Sequence, residues 1–383
     1  MTTHTPHEVA SAADDVTEAL ILDGSKIQWH MDRVEAWERG ERIAPITIDM
    51  ALTRACNYAC GFCYAMLQEN DRSNISKDNM TAFLEDSAEM GVRAISLVSD
   101  GESTLHPAFA HTINYGHALG IDMAVGTNGW ILTPDRADEV LADLTYLRFN
   151  VSAGTPQRYA EIMGVPADGG HFDQVMENAR HMVAEKKRLG LGVTIGFQMV
   201  LMPQDGDQII PFAELCRDIG VDYGVIKHCS DDEEGRIGVD YSGYARLTEA
   251  LETAEAMSTP QTQISAKWSK IGNPDRTYSR CYGPPFIIQM SGSGLIAPCG
   301  MLFNSRYGAF HIGNITEERW GDIWRSDRYW DVMNELAGEN FDARRMCGTL
   351  CLQHVTNTAL DNHRKGIAPL AQPDGVVQHM NFI

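Results

Sequence analysis

The stretch T53-R-A-C-N-Y-A-C-G-F-C-Y64 places three thiols, Cys56, Cys60 and Cys63, inside eight residues, with no histidine and no fourth cysteine beside them. A structural zinc site wants four protein ligands, and a catalytic zinc commonly takes histidines. A four-iron, four-sulfur cube held by three thiolates leaves one iron open to a substrate or cofactor. The stretch follows directly on an apolar run, 46–52. That is where barrel enzymes assemble their sites, at the carboxyl end of a strand.

Downstream, strand-like runs at 46–52, 94–98, 123–126, 146–152, 193–202 and 221–227 alternate with amphipathic helical stretches. The stretch 76–91 has a serine start, Met80, Phe83, Leu84 and Met90 on one face, and a glycine stop. Further helices are expected at 26–40, 108–119, 134–143, 173–189 and 208–219, several ending at a glycine. Such alternation calls for a parallel sheet with right-handed crossovers. Strands of an open sheet covered on both faces are apolar throughout, whereas several of these alternate. Thr47, Asp49 and Thr53 share one lane of the first; Arg148, Asn150 and Ser152 share one of the fourth; Thr194, Gly196 and Gln198 share one of the fifth. A polar lane suits an inner face that meets a polar ligand. The expected fold is therefore α/β, an incomplete six-stranded barrel over 46–235.

Composition narrows the function. Acidic residues outnumber basic ones by 52 to 31, for a formal charge of −21, so a large nucleic-acid footprint and an anionic membrane surface are both disfavoured. The first twenty residues lack the basic start and apolar centre of a secretory signal, and no run approaches a membrane span. The expectation is a cytoplasmic protein with a disordered leader at 1–20 and a helical extension at 21–45. In that setting nine cysteines read as metal ligands or reactive thiols rather than disulfides.

The spacing C-x₃-C-x-aromatic-C, with Phe62 in the aromatic place, resembles the radical S-adenosylmethionine (radical SAM) superfamily, whose members carry it after the first strand of a partial (β/α)6 TIM-like barrel. The resemblance implies that S-adenosylmethionine chelates the open iron and is cleaved to methionine and a 5′-deoxyadenosyl radical. It also implies a low-potential electron donor such as flavodoxin or ferredoxin. Where the family usually has Gly-Gly-Glu after the second strand, Gly101 and Glu102 match and Asp100 replaces the first glycine. Asn128, Asn150, Ser152 and Gln198 fall where the family contacts the ribose and carboxylate of the cofactor.

Past residue 235 the pattern changes. A helix over 241–257 leads to a polar segment and then to a hairpin, F286-I-I-Q-M-S-G-S-G-L-I-A-P-C299, with the turn at 291–294. Pairing Met290 with Leu295 sets Phe286 opposite Cys299. A second amphipathic helix follows, with Trp320, Ile323, Trp324, Trp330, Met333 and Leu336 mostly on its core face. Cys281, Cys299, Cys347 and Cys351 all lie in this part. Four thiolates suggest a fully ligated cluster, with zinc as the alternative. The arrangement resembles the small α+β twitch form of the SPASM domain, over 240–360, with 361–383 as a tail, and implies an auxiliary [4Fe-4S] cluster able to take the electron of an oxidised substrate radical.

Two cysteines remain. Cys216 shares a helical face with Phe212, Leu215 and Ile219 and reads as core, whereas Cys229 follows the sixth strand at the functional end. Its thiol is a candidate hydrogen donor, and Lys227 or His228 a candidate base. The expected function is an oxidoreductase that abstracts hydrogen from an unactivated carbon of a sugar-, aminocyclitol- or nucleoside-like small molecule. The alternatives are a maturase of short peptides, an epimerase using Cys229, and, more remotely, an iron–sulfur electron carrier. Only about 45 residues precede the first strand, too few for the leader-binding module of many peptide maturases, which favours the small molecule.

Overall fold

A computed structural model describes residues 25–271, 276–347 and 351–383, without the side chains of 269 and 270. The disordered leader expected at 1–20 lies outside these residues. Six parallel strands form where the apolar runs lie: β1 (Thr47–Met50), β2 (Ala94–Leu97), β3 (Asp122–Thr127), β4 (Leu144–Asn150), β5 (Thr194–Leu201) and β6 (Tyr223–His228), paired in chain order. The sheet runs on at both edges. β7 (Gln263–Ala266) adds in parallel beside β6, β8 (Ile287–Met290) adds in parallel beside β1, and β9 (Leu295–Ala297) and β10 (Gly313–Asn314) continue antiparallel from β8. The hairpin of the cysteine-rich half thus extends the barrel's own sheet.

Local signals account for the helices. In Lys77–Met90, Ser76 Oγ accepts from Asn79 N at 3.1 Å, and Gly91 closes the helix at φ +84°, a left-handed conformation costly for a side chain. A further helix, Pro156–Met163, forms in a stretch to which the sequence pattern assigned no element. The tryptophan-rich helix is two, Trp320–Arg325 and Asp327–Ala337. Ser326 between them is extended at ψ 152° and caps the second through Tyr329 N.

The lanes separate as the alternation requires. Ile48, Ile95, Met123, Leu147, Phe149, Ile195 and Phe197 face the helices, none more than 1% exposed; each such burial contributes about 1.5–3 kcal/mol. On the other face Thr47, Asp49, Tyr146, Arg148, Gln198, Tyr223 and Ile287 line one cavity of 220 Å³. Strands β1, β4, β5, β6 and β8 share a cavity only if the sheet curls, so this is a partial barrel, whose sheet ends at β7 on one side and at β10 on the other. Its amino end is closed by the tail. Thr47 Oγ1 donates to Asn381 O (2.6 Å), Asn381 Nδ2 donates to Asp122 Oδ2 (2.8 Å), and the His379 ring meets Thr194 Oγ1 (2.7 Å).

One register differs from expectation. Met290 pairs with Ile296, not Leu295. Ser291 N donates to Leu295 O and Gly294 takes φ +85°, so the turn uses one residue more than its Ser-Gly-Ser-Gly signature and Phe286 does not stand opposite Cys299.

Candidate functional site

The three thiols sit on an irregular loop at the carboxyl end of β1, fixed by its own backbone. Cys63 N donates to Cys60 O (3.1 Å), Gly61 N to Ile162 O (3.2 Å) and Tyr58 N to Cys56 Sγ (3.5 Å). Phe62 packs half-buried on the core, and its carbonyl lies 3.7 Å from Cys229 Sγ. Burial pushes the Cys56 thiol up to about 11 and raises Cys60 and Cys63 as well, and the charge of Cys63 adds to the rise of the first two. Glu102 nearby adds to this. A loop that holds thiolates under these conditions needs a cationic centre among them.

The residues after β2 are built onto that loop. Gly101 has φ +75°, and a Cβ there would lie 2.1 Å from Thr53 O and 2.9 Å from Ala55 O; only glycine fits. Glu102 N donates to Ala55 O (2.8 Å). The Glu102 carboxylate accepts from Thr104 Oγ1 (2.6 Å), Thr127 Oγ1 (2.7 Å) and Asn128 N (2.7 Å), so it ties β2 to β3 beneath the loop.

Asp100, the departure from the family's double glycine, has its carboxylate committed to protein donors. It accepts from Arg54 Nε (3.0 Å), Ser291 Oγ (2.7 Å) and Gly292 N (2.8 Å). Its carboxylate therefore clamps the cluster loop to the β8–β9 turn. Gly292 presses on that loop so closely that a Cβ would fall 2.2 Å from the Thr53 carbonyl carbon.

Asn128 Nδ2 donates to Asn57 Oδ1 (2.8 Å), while Asn57 Nδ2 is buried without a partner. Gln198 Nε2 donates to Asn150 Oδ1 (3.0 Å), and Ser152 Oγ accepts from Val200 N (3.2 Å). All lie at the carboxyl end of the barrel, over the cavity. Three thiols that need a cation, a glycine cradle and an orphaned donor on Asn57 fit an iron–sulfur cluster with a polar ligand on its open iron. Lys227 stands on the inner lane one residue past Ile226, whereas His228 turns outward against the rings of Tyr241 and Tyr244, with centroids 6.3 and 6.0 Å away.

The second set of thiols converges too. Cys281, Cys299, Cys347 and Cys351 line one cavity of 170 Å³; residues 348–350 between the last two lie outside the described ones. Asn357 Nδ2 donates to Cys281 Sγ (3.6 Å) and Cys351 Sγ (3.7 Å), and Arg276 Nη2 donates to Cys347 Sγ (3.5 Å). Donors aimed at sulfur suit thiolates bound to metal. Arg54, Asn57, Arg276 and Asn357 were not legible in the sequence, because the partners that give them a role, Asp100, Asn128, Cys347 and Cys281, lie 46, 71, 71 and 76 positions away; only their polarity was visible.

Comparison with known proteins agrees with this geometry. Residues 50–216 match the Radical SAM superfamily and residues 281–351 the SPASM iron–sulfur cluster-binding domain. The tungsten-containing aldehyde ferredoxin oxidoreductase cofactor-modifying protein of Pyrococcus furiosus is 20% identical over 299 residues, 73% of this chain and 81% of that one. A probable GTP 3′,8-cyclase of Saccharolobus solfataricus is 27% identical over 173 residues, 45% of this chain; the match spans about half of that relative, 53%. The structure of SuiB of Streptococcus suis bound to S-adenosylmethionine superposes with a TM-score of 0.61 at 16% identity, covering 92% of this chain and 81% of SuiB. The chain belongs to the radical SAM superfamily and carries a C-terminal SPASM-type iron–sulfur domain.

Proposed function

We propose that this protein is a radical SAM oxidoreductase that takes two hydrogens from a small polar substrate seated in the barrel cavity. The observation that carries the reading is continuity. The cavity reaches Gln198 on the cofactor side and Gln353 on the other, and Gln353 also lines the cavity of the four distal thiols. A substrate there lies between the source of the radical and a sink for the electron.

When bound to the reduced cluster, S-adenosylmethionine supplies the 5′-deoxyadenosyl radical. Cys56, Cys60 and Cys63 would hold that cluster, with Asn128, Asn150, Ser152 and Gln198 around the nucleoside; Cys281, Cys299, Cys347 and Cys351 would hold the auxiliary one. The substrate gives up a hydrogen atom, then a proton, then an electron. Lys227 on the inner lane is the base this reading assigns; His228, facing outward, has no part in it. Tyr146, Tyr223, Gln198 and Asp49 offer hydrogen bonds suited to a sugar-, aminocyclitol- or nucleoside-like molecule, and 220 Å³ falls below the usual drug-sized pocket of about 300–1,000 Å³. Flavodoxin or ferredoxin is the proposed electron donor.

Two observations support other readings. Leu352, at the side of the cavity, is 39% exposed, which leaves an entrance for one side chain of a peptide. Cys229 is buried and its thiol pushed up to about 12, so it keeps the hydrogen an epimerase would donate. Anaerobically reconstituted protein with reductant and S-adenosylmethionine should release 5′-deoxyadenosine and yield a product two hydrogens lighter. A product of unchanged mass, carrying one deuterium from heavy water, would replace oxidation by epimerisation; failure to cleave the cofactor would leave only an electron carrier.

A further inference from the structure

Arg148 stands in the middle of β4 with Gly126 of β3 and Gly196 of β5 as its row neighbours. Neither glycine is replaceable without cost to this layer. A Cβ at 126 would lie 3.0 Å from Arg148 Nη2, and one at 196 would strike the Tyr223 ring at 2.2 Å. Gly126 gives the guanidinium lateral room inside the barrel, and Gly196 makes room for the Tyr223 ring beside it.

That room is not used to satisfy it. Arg148 Nε is buried without a hydrogen-bond partner, although a buried guanidinium donor left unpaired is costly. The carboxylate that faces it, Asp49, makes no direct ion pair with it and instead accepts from Gln289 Nε2 at 2.9 Å. Burial pushes the Asp49 carboxyl up to about 6, against the pull of Arg148, Lys227 and Lys267. The cavity is lined by Arg148, Lys267 and Lys26 but by one acidic side chain, Asp49. Low-dielectric walls focus the field of the Arg148 guanidinium on whatever enters.

We infer that the barrel cavity is an anion site, in which Arg148 grips a carboxylate or phosphate group of the substrate. The inference rests on the reading of the cavity as the substrate's seat, and it narrows the substrate class to acids. Arg148 is then a binding residue whose planar donors fix the orientation of the molecule.

The direct test is a selenate soak of crystals of the full chain, anaerobically reconstituted. The expected result is an anomalous selenium peak within hydrogen-bonding reach of Arg148, lost in Arg148→Met. In solution, calorimetry with matched probes separates the two sources of charge: glucose 6-phosphate against glucose, and N-acetylglycine against its amide. At least one acid should bind about tenfold tighter than its neutral twin, and whichever does so names phosphate or carboxylate. Asp49→Asn should tighten selenate binding several-fold, a change of sign opposite to structural damage, so the test survives if Arg148→Met does not fold. Surface selenate peaks with none in the cavity, or undiminished binding in Arg148→Met, would overturn the inference. Formation of 5′-deoxyadenosine is measured separately, so an oxidoreductase without an anion site and an anion site without radical chemistry give different results.

Discussion

Replacing Asp100 by alanine tests whether the cluster loop and the β8–β9 turn are held as one unit. The ion pair with Arg54 is closed at 3.0 Å, with side-chain exposures of 7% for Arg54 and 4% for Asp100. Deleting one partner of a buried pair costs about 3–5 kcal/mol, largely because the other charge is stranded. Arg54 retains Asp71 at 3.3 Å and the Gln68 carbonyl, which lowers the expected loss to about 3 kcal/mol. Ser291 Oγ and Gly292 N lose their acceptor in the same step. Spread over the unfolding entropy of a chain this long, that loss lowers the midpoint by about 3–5 °C. Asp100→Gly, which restores the family's residue, should lose as much, because the clamp and not the backbone is what the aspartate supplies. The double variant Arg54→Met, Asp100→Leu removes both charges and should recover most of the loss. Anaerobic thermal melts of the four proteins decide the matter. An Asp100→Ala melt within about a degree of wild type, or a double variant no better than the single one, would refute the reasoning.

Other expectations follow from the same geometry. Gly101→Ala should abolish iron retention at the 56–63 loop, since its Cβ would meet Thr53 O at 2.1 Å from a φ of +75°, and absorbance of reconstituted protein reports it. Asn357→Leu, which removes the donor to Cys281 and Cys351 Sγ, should lower iron content toward one cluster's worth while S-adenosylmethionine cleavage persists; iron analysis beside 5′-deoxyadenosine yield checks both halves. Burial lowers His379 from 6.5 to about 4, so below pH 6.5 the unfolded chain takes up a proton that the folded one refuses. Its contribution is therefore complete above pH 6.5, falls as the pH drops toward 4, and amounts to at most about 3 kcal/mol. The stability difference between wild type and His379→Asn, measured by urea titration across that window, should shrink in favour of the variant as the pH falls.

Much of this was legible in the residues because the physics is local. The helix over 77–90 is written in its serine cap, its apolar face and its glycine stop, and the polar lanes of β1, β4 and β5 told the inner face from the outer. The thiol spacing named the chemistry. What escaped depends on contacts distant in sequence. β7 is four residues, Q263-I-S-A266, half polar and too short for a periodic signal; it is a strand because β6 offers it an edge. The hairpin slipped by one residue because Ser291 and Gly292 are held by Asp100, a partner 191 positions away in the first hydrogen bond. Asp100 departs from a glycine motif, and its pairing with Arg54 and the hairpin turn was invisible without the fold. Likewise Arg148 was on the inner lane from the outset, but that it stands between Gly126 and Gly196 is a property of strand register alone.

The central claim, that Cys56, Cys60 and Cys63 leave one iron for S-adenosylmethionine, is tested most directly by electron paramagnetic resonance of a reduced variant in which Cys281, Cys299, Cys347 and Cys351 are alanine. The expected result is a single [4Fe-4S]⁺ signal whose g-values move when S-adenosylmethionine is added. A signal indifferent to the nucleotide, or one that survives further replacement of the three proximal thiols, would contradict it.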